Sequence, residues 1–214
     1  MPKTIIIHTD LPLIQLLDGQ TSEGIDSFIS EIKSAISKVG TPAFLRTGHL
    51  SNKHDWKKSC FITKESDIIS HVVNLVEMSC LATMDRVIPI DFWAVREFIK
   101  TEPYFSYFPG DMPITKERRF FVRNGTIECH HNYWDRKAFK DDIDEKKFKA
   151  MADLSEEDKK ELSKMALYVG GMFSGYWSLD FLKGKDGQWY LTDMAIGEQS
   201  YHQKHKGASQ CTTK

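Results

Sequence analysis

Two aspartates carry the sharpest chemistry in the sequence. Asp180 lies in Ser178-Leu-Asp-Phe-Leu182 and Asp193 in Tyr190-Leu-Thr-Asp-Met194, each a carboxylate flanked by apolar residues. The two segments, Tyr176 to Leu182 and Gln188 to Met194, flank Gly184-Lys-Asp-Gly187, a pattern that predicts a hairpin and brings the pair together. Two uncompensated carboxylates that close repel, and burial adds a desolvation cost. A divalent cation removes both problems. Hard oxygen donors suit Mg²⁺, which keeps waters and takes its remaining ligands from substrate phosphates. The spacing also allows one aspartate to face solvent while the other caps a turn.

A second set lies upstream. In Trp93-Ala-Val-Arg-Glu-Phe-Ile99, alternation puts Arg96 and Phe98 on one face and Glu97 with Val95 on the other. In Lys116-Glu-Arg-Arg-Phe-Phe-Val122, Glu117, Arg119 and Phe121 share a face opposite Phe120 and Val122. Arg96, Glu117 and Arg119 can therefore line one cavity, with the arginines forked onto phosphate oxygens. The same alternation also describes a surface ladder of ion pairs. Phe44 to Trp56 runs from a strand into a polar loop with Gly48, Ser51 and Lys53, which offers N–H groups, a hydroxyl and cations to an anion. His130 and His131 alternate in a strand and point to opposite faces, so they do not chelate one metal together. Tyr133 and Trp134 read as packing residues or as the edge of a cleft. His202-x-x-His205 falls in a polar C-terminal tail.

The elements that must position these groups follow from periodicity. Ile25, Phe28, Ile29, Ile32, Ile36 and Val39 form a helical stripe ended by Gly40. Ile68, Ile69, Val72, Val73 and Val76 form a second, opened by Glu65 and Asp67. Ser155-Glu-Glu-Asp158 resembles an N-terminal cap leading to a third helix that Gly170-Gly171 ends. Lys140 to Lys149 reads as a solvated helix face. Arg118 to Arg123 and Thr126 to His131 flank Asn124-Gly125, a strong hairpin signal. Ala43 to Thr47, Cys60 to Thr63 and Asp91 to Ile99 are further strands. Hairpins without repeated βαβ units argue for an α+β fold.

The 214 residues suit one domain or two small lobes, and 41% hydrophobic with 28% charged residues is the balance of a soluble globular chain. A formal net charge of −1 gives no basic surface for nucleic acid. The apolar runs, such as Ile5-Ile6-Ile7, are too short to span a bilayer, and no signal peptide is recognisable. Four cysteines without a C-x-x-C pair read as reduced thiols of a cytoplasmic protein. The sequence has no G-x-G-x-x-G, no G-x-x-x-x-G-K-[ST] and no G-x-S-x-G. Charged side chains on strands would have to hold any nucleotide.

Taken in order, these segments resemble the ATP-grasp superfamily. Glu117-Arg-Arg-Phe-Phe-Val-Arg-Asn-Gly-Thr-Ile127 is similar to a stretch of the eukaryotic cell-division-cycle ATP-grasp proteins, and Gly175 to Asp180 with Trp189 to Asp193 fits the metal-binding end of the fold. The whole pattern, from about Pro42 to Tyr201, resembles short single-domain bacterial and phage members. The resemblance implies two α/β lobes with antiparallel sheets clasping ATP: residues 1–92, residues 93–201, then a flexible tail, 202–214. It gives phosphate-contacting roles to Arg46 and Arg96, which replace the usual lysines, and an adenine-reading hinge to Glu97, Phe98 and Ile99. Lys53 would cover the phosphates. Glu117 and Arg119 would sit near the ribose and the transferring phosphoryl group as catalytic residues, and Asp180 and Asp193 would bind Mg²⁺. The implied activity is ATP-dependent carboxylate–amine ligation through an acyl phosphate, with a protein or peptide acceptor. The alternative is an ATP-binding assembly factor for a partner protein. The family commonly has Asn two residues after the second acidic ligand, and this chain has Ala195 there. Glu198 and Ser200 are the nearby groups that could substitute.

Overall fold

The computed structural model describes residues 1–20, 23–82, 89–107, 111–139 and 142–203. The chain divides into two compact units: Pro2–Ile99 with Ser106–Met112, and Lys100–Phe105 with the chain from Pro113 onward.

The first unit is a four-stranded antiparallel sheet under two helices. Its strands are β1 (Thr4–His8), β2 (Ala43–Thr47), β3 (Phe61–Ile62) and β4 (Phe92–Glu97), in the order β1-β4-β2-β3. The isoleucine stripe forms α1 (Ile25–Val39), which buries Ile25, Phe28, Ile32 and Ile36. Gly40 stops it at φ 100°, a backbone angle that glycine tolerates without a Cβ clash, and its N–H returns to the Ile36 carbonyl at 2.8 Å. The second helix, α2 (Ile68–Leu81), follows a 3₁₀ turn over Glu65–Asp67. Both helices pack their apolar faces on Ile7, Leu45, Trp93 and Val95. Strand β4 lies in the interior of this sheet, so the break between units falls after Ile99 and not near residue 92 as the sequence suggests. Strand β1 has no periodic signal beyond three consecutive isoleucines. It exists because β4, some ninety residues away in sequence, offers it an edge.

A two-stranded ribbon, β5 (Phe105–Tyr107) with β6 (Met112–Ile114), precedes the second sheet. That sheet contains β7 (Glu117–Arg123), β8 (Thr126–Asn132), β9 (Tyr176–Lys183) and β10 (Trp189–Ile196), in the order β10-β9-β7-β8. Both expected hairpins form. Asn124 and Gly125 take φ 47° and 77°, the left-handed backbone that a tight hairpin turn requires. Between the hairpins lie α3 (Glu145–Ala152) and α4 (Glu156–Gly170). The Ser155 hydroxyl caps α4 by accepting from the Asp158 N–H at 3.1 Å. Leu162 and Ala166 of α4 pack against Phe120, Val122, Leu179 and Phe181. The fold is α+β, and no helix among the described residues is long and apolar enough to cross a membrane.

One expectation needs correction. The sequence suggests a free tail from residue 202, and 204–214, with His205, lie outside the described residues. His202 and Gln203, however, are anchored. His202 stacks on Phe121 with ring centroids 4.2 Å apart, and the Gln203 side chain donates to the Asn132 carbonyl at 2.6 Å. Cys60 and Cys80 are free thiols, as expected, and Cys211 lies outside the described residues.

Candidate functional site

Register builds the centre of the second unit. Arg119 on β7 pairs with His131 on β8 and with Asp180 on β9, and Asp180 pairs with Asp193 on β10. Directly opposed residues project from the same face of a sheet, so His131, Arg119, Asp180 and Asp193 form one row across four strands. An irregularity between Leu191 and Asp193 moves Thr192 out of register and sets Asp193 opposite Asp180. The Thr192 hydroxyl donates to the Asp180 carbonyl at 3.2 Å. The opposite face carries Phe120, Val122, Leu179 and Phe181 into the core under α4.

Arg119 forks onto Asp180: Nε donates to Oδ1 at 2.7 Å and Nη2 to Oδ2 at 2.8 Å. Their side chains keep only 13% and 10% of their exposure, so this is a part-desolvated, two-point ion pair. Burial works against the guanidinium charge. The Asp180 fork, helped by Tyr133 and Asp193, more than offsets it and holds the arginine above its ordinary pKa. Asp193 Oδ1 accepts the Met194 N–H at 3.0 Å.

This donor set fits a hard cation in one circumstance. No cluster of three metal-ligating side chains occurs among the described residues. Mg²⁺, however, is commonly held by one or two carboxylates plus substrate phosphates and waters. Each carboxylate oxygen has a second lone pair, so Asp180 can keep Arg119 and still face a cation. Two carboxylates supply only part of such a shell, and phosphate oxygens would have to complete it.

Glu117 also faces this side, with its carboxylate accepting from the Trp134 indole N–H at 2.9 Å. The Tyr133 ring lies beneath the Arg119 guanidinium, 4.7 Å from its centroid. Ala195, two positions along β10 from Asp193, pairs with Ser178, whose hydroxyl meets that of Ser200 at 2.6 Å. Glu198 instead reaches Arg123 at 3.6 Å. Ser200 is therefore the candidate that lies beside the Ala195 position. Tyr133 and Trp134, expected to pack or to edge a cleft, do both around Arg119 and Glu117. Tyr201, which joins them, has no sequence signal beyond its place at the edge of the polar tail.

The first unit holds the other expected residues. Arg96 pairs with Phe44 and Thr4, and Arg46 pairs with Ala94, two positions along β4 from Arg96. The two arginines therefore project from one face of the sheet, opposite the Leu45, Trp93 and Val95 side chains beneath the helices. Arg46 Nε donates to the Thr47 carbonyl at 3.1 Å. Lys53 opens a 3₁₀ turn, Lys53–Lys58. Burial pushes the Cys60 thiol up to about 12, against smaller opposing effects that include Lys53 and Arg46. The Glu97 carboxylate accepts the Lys3 backbone N–H at 2.6 Å. Phe98 packs against Phe61 and Trp56, with centroids 4.8 and 6.0 Å away. Phe98 and Ile99 follow directly on the last residue of β4, where the sheet ladder has ended.

Each unit thus carries an antiparallel sheet with helices packed on one face and charged side chains on its strands. The chain belongs to an ATP-grasp domain family, family 3 of its clade, which matches residues 36–209. Among solved structures, Cdc123 from Schizosaccharomyces pombe aligns with 92% of this chain and 77% of its own, at TM-score 0.55 and 15% identity. D-alanyl-alanine synthetase A from Vibrio cholerae O1 biovar eltor aligns with 91% of this chain and 49% of its own, at TM-score 0.47 and 13% identity. D-alanine–D-alanine ligase from Bacillus anthracis, complexed with ATP, gives 91%, 46%, 0.46 and 13% for the same four quantities. The chain spans less than half the length of these two ligases. A comparison with curated proteins finds no match by sequence.

Proposed function

We propose that this chain binds Mg-ATP and acts as a carboxylate–amine ligase. The observation that carries the reading is the row Arg119–Asp180–Asp193, a part-buried cation on β7 beside two adjacent strands that present paired carboxylates on the same face. Asp180 and Asp193 would hold Mg²⁺ together with nucleotide phosphates. Arg46, Arg96 and Lys53 would neutralise phosphate charge, and the backbone groups of Phe98 and Ile99 beside Glu97 would read the base. Bound Mg-ATP supplies the phosphoryl group and the charge neutralisation for its transfer. An acceptor carboxylate oxygen takes the terminal phosphoryl group, giving an acyl phosphate and ADP. An amine then attacks the acyl carbon, loses a proton and expels phosphate, leaving an amide. Arg119 would steady the carboxylate and the phosphoryl oxygens as charge moves between them. Glu117, held by Trp134, would position this end of β7. A screen of peptide and amino-acid acceptors for ADP release tests the ligase: release must depend on an acceptor, and the Arg119→Lys variant must lose it. ADP release without any acceptor, unchanged in that variant, would remove Arg119 from the reaction.

A second reading is an ATP-binding assembly factor with negligible turnover. Ala195, which brings no oxygen or nitrogen donor to its place on β10, favours it. The likeness in fold to Cdc123 is compatible with it. Such a factor would bind Mg-ATP and release no ADP with any acceptor.

A further inference from the structure

Beside Arg119 lies a cavity of about 370 Å³ within the second unit, walled by Tyr133, Trp134 and Tyr201, with Asp135 and Lys137 at its side. Its size is that of a small-molecule pocket and holds an amino-acid-sized body. Three of its features restrict what it can take. Arg119 and Lys137 line it with one acid, Asp135; Arg119 is forked onto Asp180, and Asp135 accepts the Tyr201 hydroxyl at 2.6 Å and the Lys137 N–H at 3.0 Å, which leaves Lys137 as the added charge. Those contacts, and Lys137 nearby, hold the Asp135 carboxyl below its usual range despite the opposing effect of burial. The walls are aromatic, with Tyr133 and Trp134 packed edge to face at 5.1 Å. Finally, the Arg119 fork leaves Nη1 aside from Asp180, and that nitrogen donates to the Tyr201 backbone carbonyl at 3.2 Å.

We infer that this pocket is the acceptor subsite, and that it takes a carboxylate attached to an apolar, ring-sized body. The inference rests on the ligase reading above. In it, the Tyr201 carbonyl oxygen occupies the place of an acceptor carboxylate oxygen at Arg119 Nη1. Binding the acceptor moves Tyr201, which is 57% exposed, off the arginine. The carboxylate then sits at Arg119, one strand over from Asp180, while the ring lies against Tyr133 and Trp134. Lys137 adds a second positive charge, which discriminates against amines and neutral amides. A free amino acid, whose ammonium would meet Lys137, binds less well than an N-acylated one or a peptide C-terminus.

Saturation-transfer NMR with N-acetyl-L-phenylalanine and its C-terminal amide tests this on the full chain. The acid is expected to bind and the amide roughly tenfold or more weakly, the loss of one charge-assisted hydrogen bond. Ala138→Trp, at an exposed pocket residue, is expected to abolish acid binding while leaving the thermal shift with Mg-ATP unchanged. Equal binding of acid and amide, binding undiminished in Ala138→Trp, or no binding of the acid would each overturn the acceptor assignment. If Mg-ATP still stabilises the wild type in those cases, the nucleotide reading survives and only the subsite is wrong. If the acid binds but Mg-ATP produces no shift, the ligase reading falls, and the acceptor role falls with it.

Discussion

Arg119 and Asp180 meet through two hydrogen bonds of 2.7 and 2.8 Å across the β7–β9 register, in a place where neither side chain keeps much solvent. Removing one member of such a pair strands the other as an uncompensated buried charge. Arg119→Ala is therefore expected to cost about 3–5 kcal/mol in urea unfolding. Arg119→Lys keeps the charge and loses the fork, so its stability should lie between those of the wild type and Arg119→Ala. An Arg119→Ala variant as stable as the wild type would mean the pair contributes nothing to the fold.

Asp158 gives the pH dependence. Burial alone would raise its carboxyl, but hydrogen bonds from Lys183 at 2.7 and 2.8 Å and from the Trp189 indole at 2.9 Å hold it below its ordinary range. A depressed folded-state pKa contributes stability above the unfolded value, near 3.9, and loses it as pH falls through the folded value. Asp158→Asn is expected to lower stability at pH 7 by about 1.5–3 kcal/mol, the scale of hydrogen bonds to a charged group. The gap between variant and wild type should close below about pH 4. A gap that persists undiminished at pH 2 would assign the loss to packing instead.

Burial decides thiol reactivity. Cys60 is fully buried with its thiol pushed up to about 12, whereas Cys80 is half-buried. Iodoacetamide at pH 8 should modify Cys80 in the native protein and reach Cys60 only after unfolding, because the thiolate is the reactive form. Mass spectrometry showing native Cys60 modified at the rate of Cys80 would contradict the core placement of β3 and its approach.

Helix α4 reaches β7 at a glycine. A Cβ at Gly170 would fall 2.3 Å from a methyl of Val122, a residue that is itself fully buried. Gly170→Ala is expected to destabilise by about 1–3 kcal/mol despite alanine's better helix propensity, because overpacking outweighs it. A stabilised variant, measured by denaturant unfolding, would show that α4 and β7 do not approach this closely.

The parts of the fold legible in the sequence are those with local causes. Asn124-Gly125 sets one hairpin, the glycine turn sets the other, and the isoleucine stripe with Gly40 sets α1. The Asp180–Asp193 apposition can be anticipated because a single turn joins their strands. The Arg119–Asp180 fork cannot. It depends on β7 and β9 being neighbours, a pairing between two separate hairpins that no local signal encodes. Alternation shows that Glu117, Arg119 and Phe121 share a face, but not what lies opposite. Strand β1 and the docking of His202 and Gln203 on β7 and β8 escape sequence reading for the same reason: their partners are remote along the chain.

Asp180 and Asp193 are expected to bind a metal only with nucleotide phosphates present. Because Asp180 also balances Arg119, its replacement confuses folding with binding, and Asp193→Asn is the cleaner variant. The measurement is the thermal unfolding midpoint of wild type and Asp193→Asn, alone, with Mg²⁺, with ATP plus EDTA, and with Mg-ATP. A ligand at one hundred times its dissociation constant stabilises the folded state by roughly 2.7 kcal/mol. The wild type should show an upward shift with Mg-ATP, much less with either component alone, and the variant should lose most of it. No shift in the wild type, or the same shift in Asp193→Asn and in EDTA, would rule out metal-assisted nucleotide binding at these aspartates.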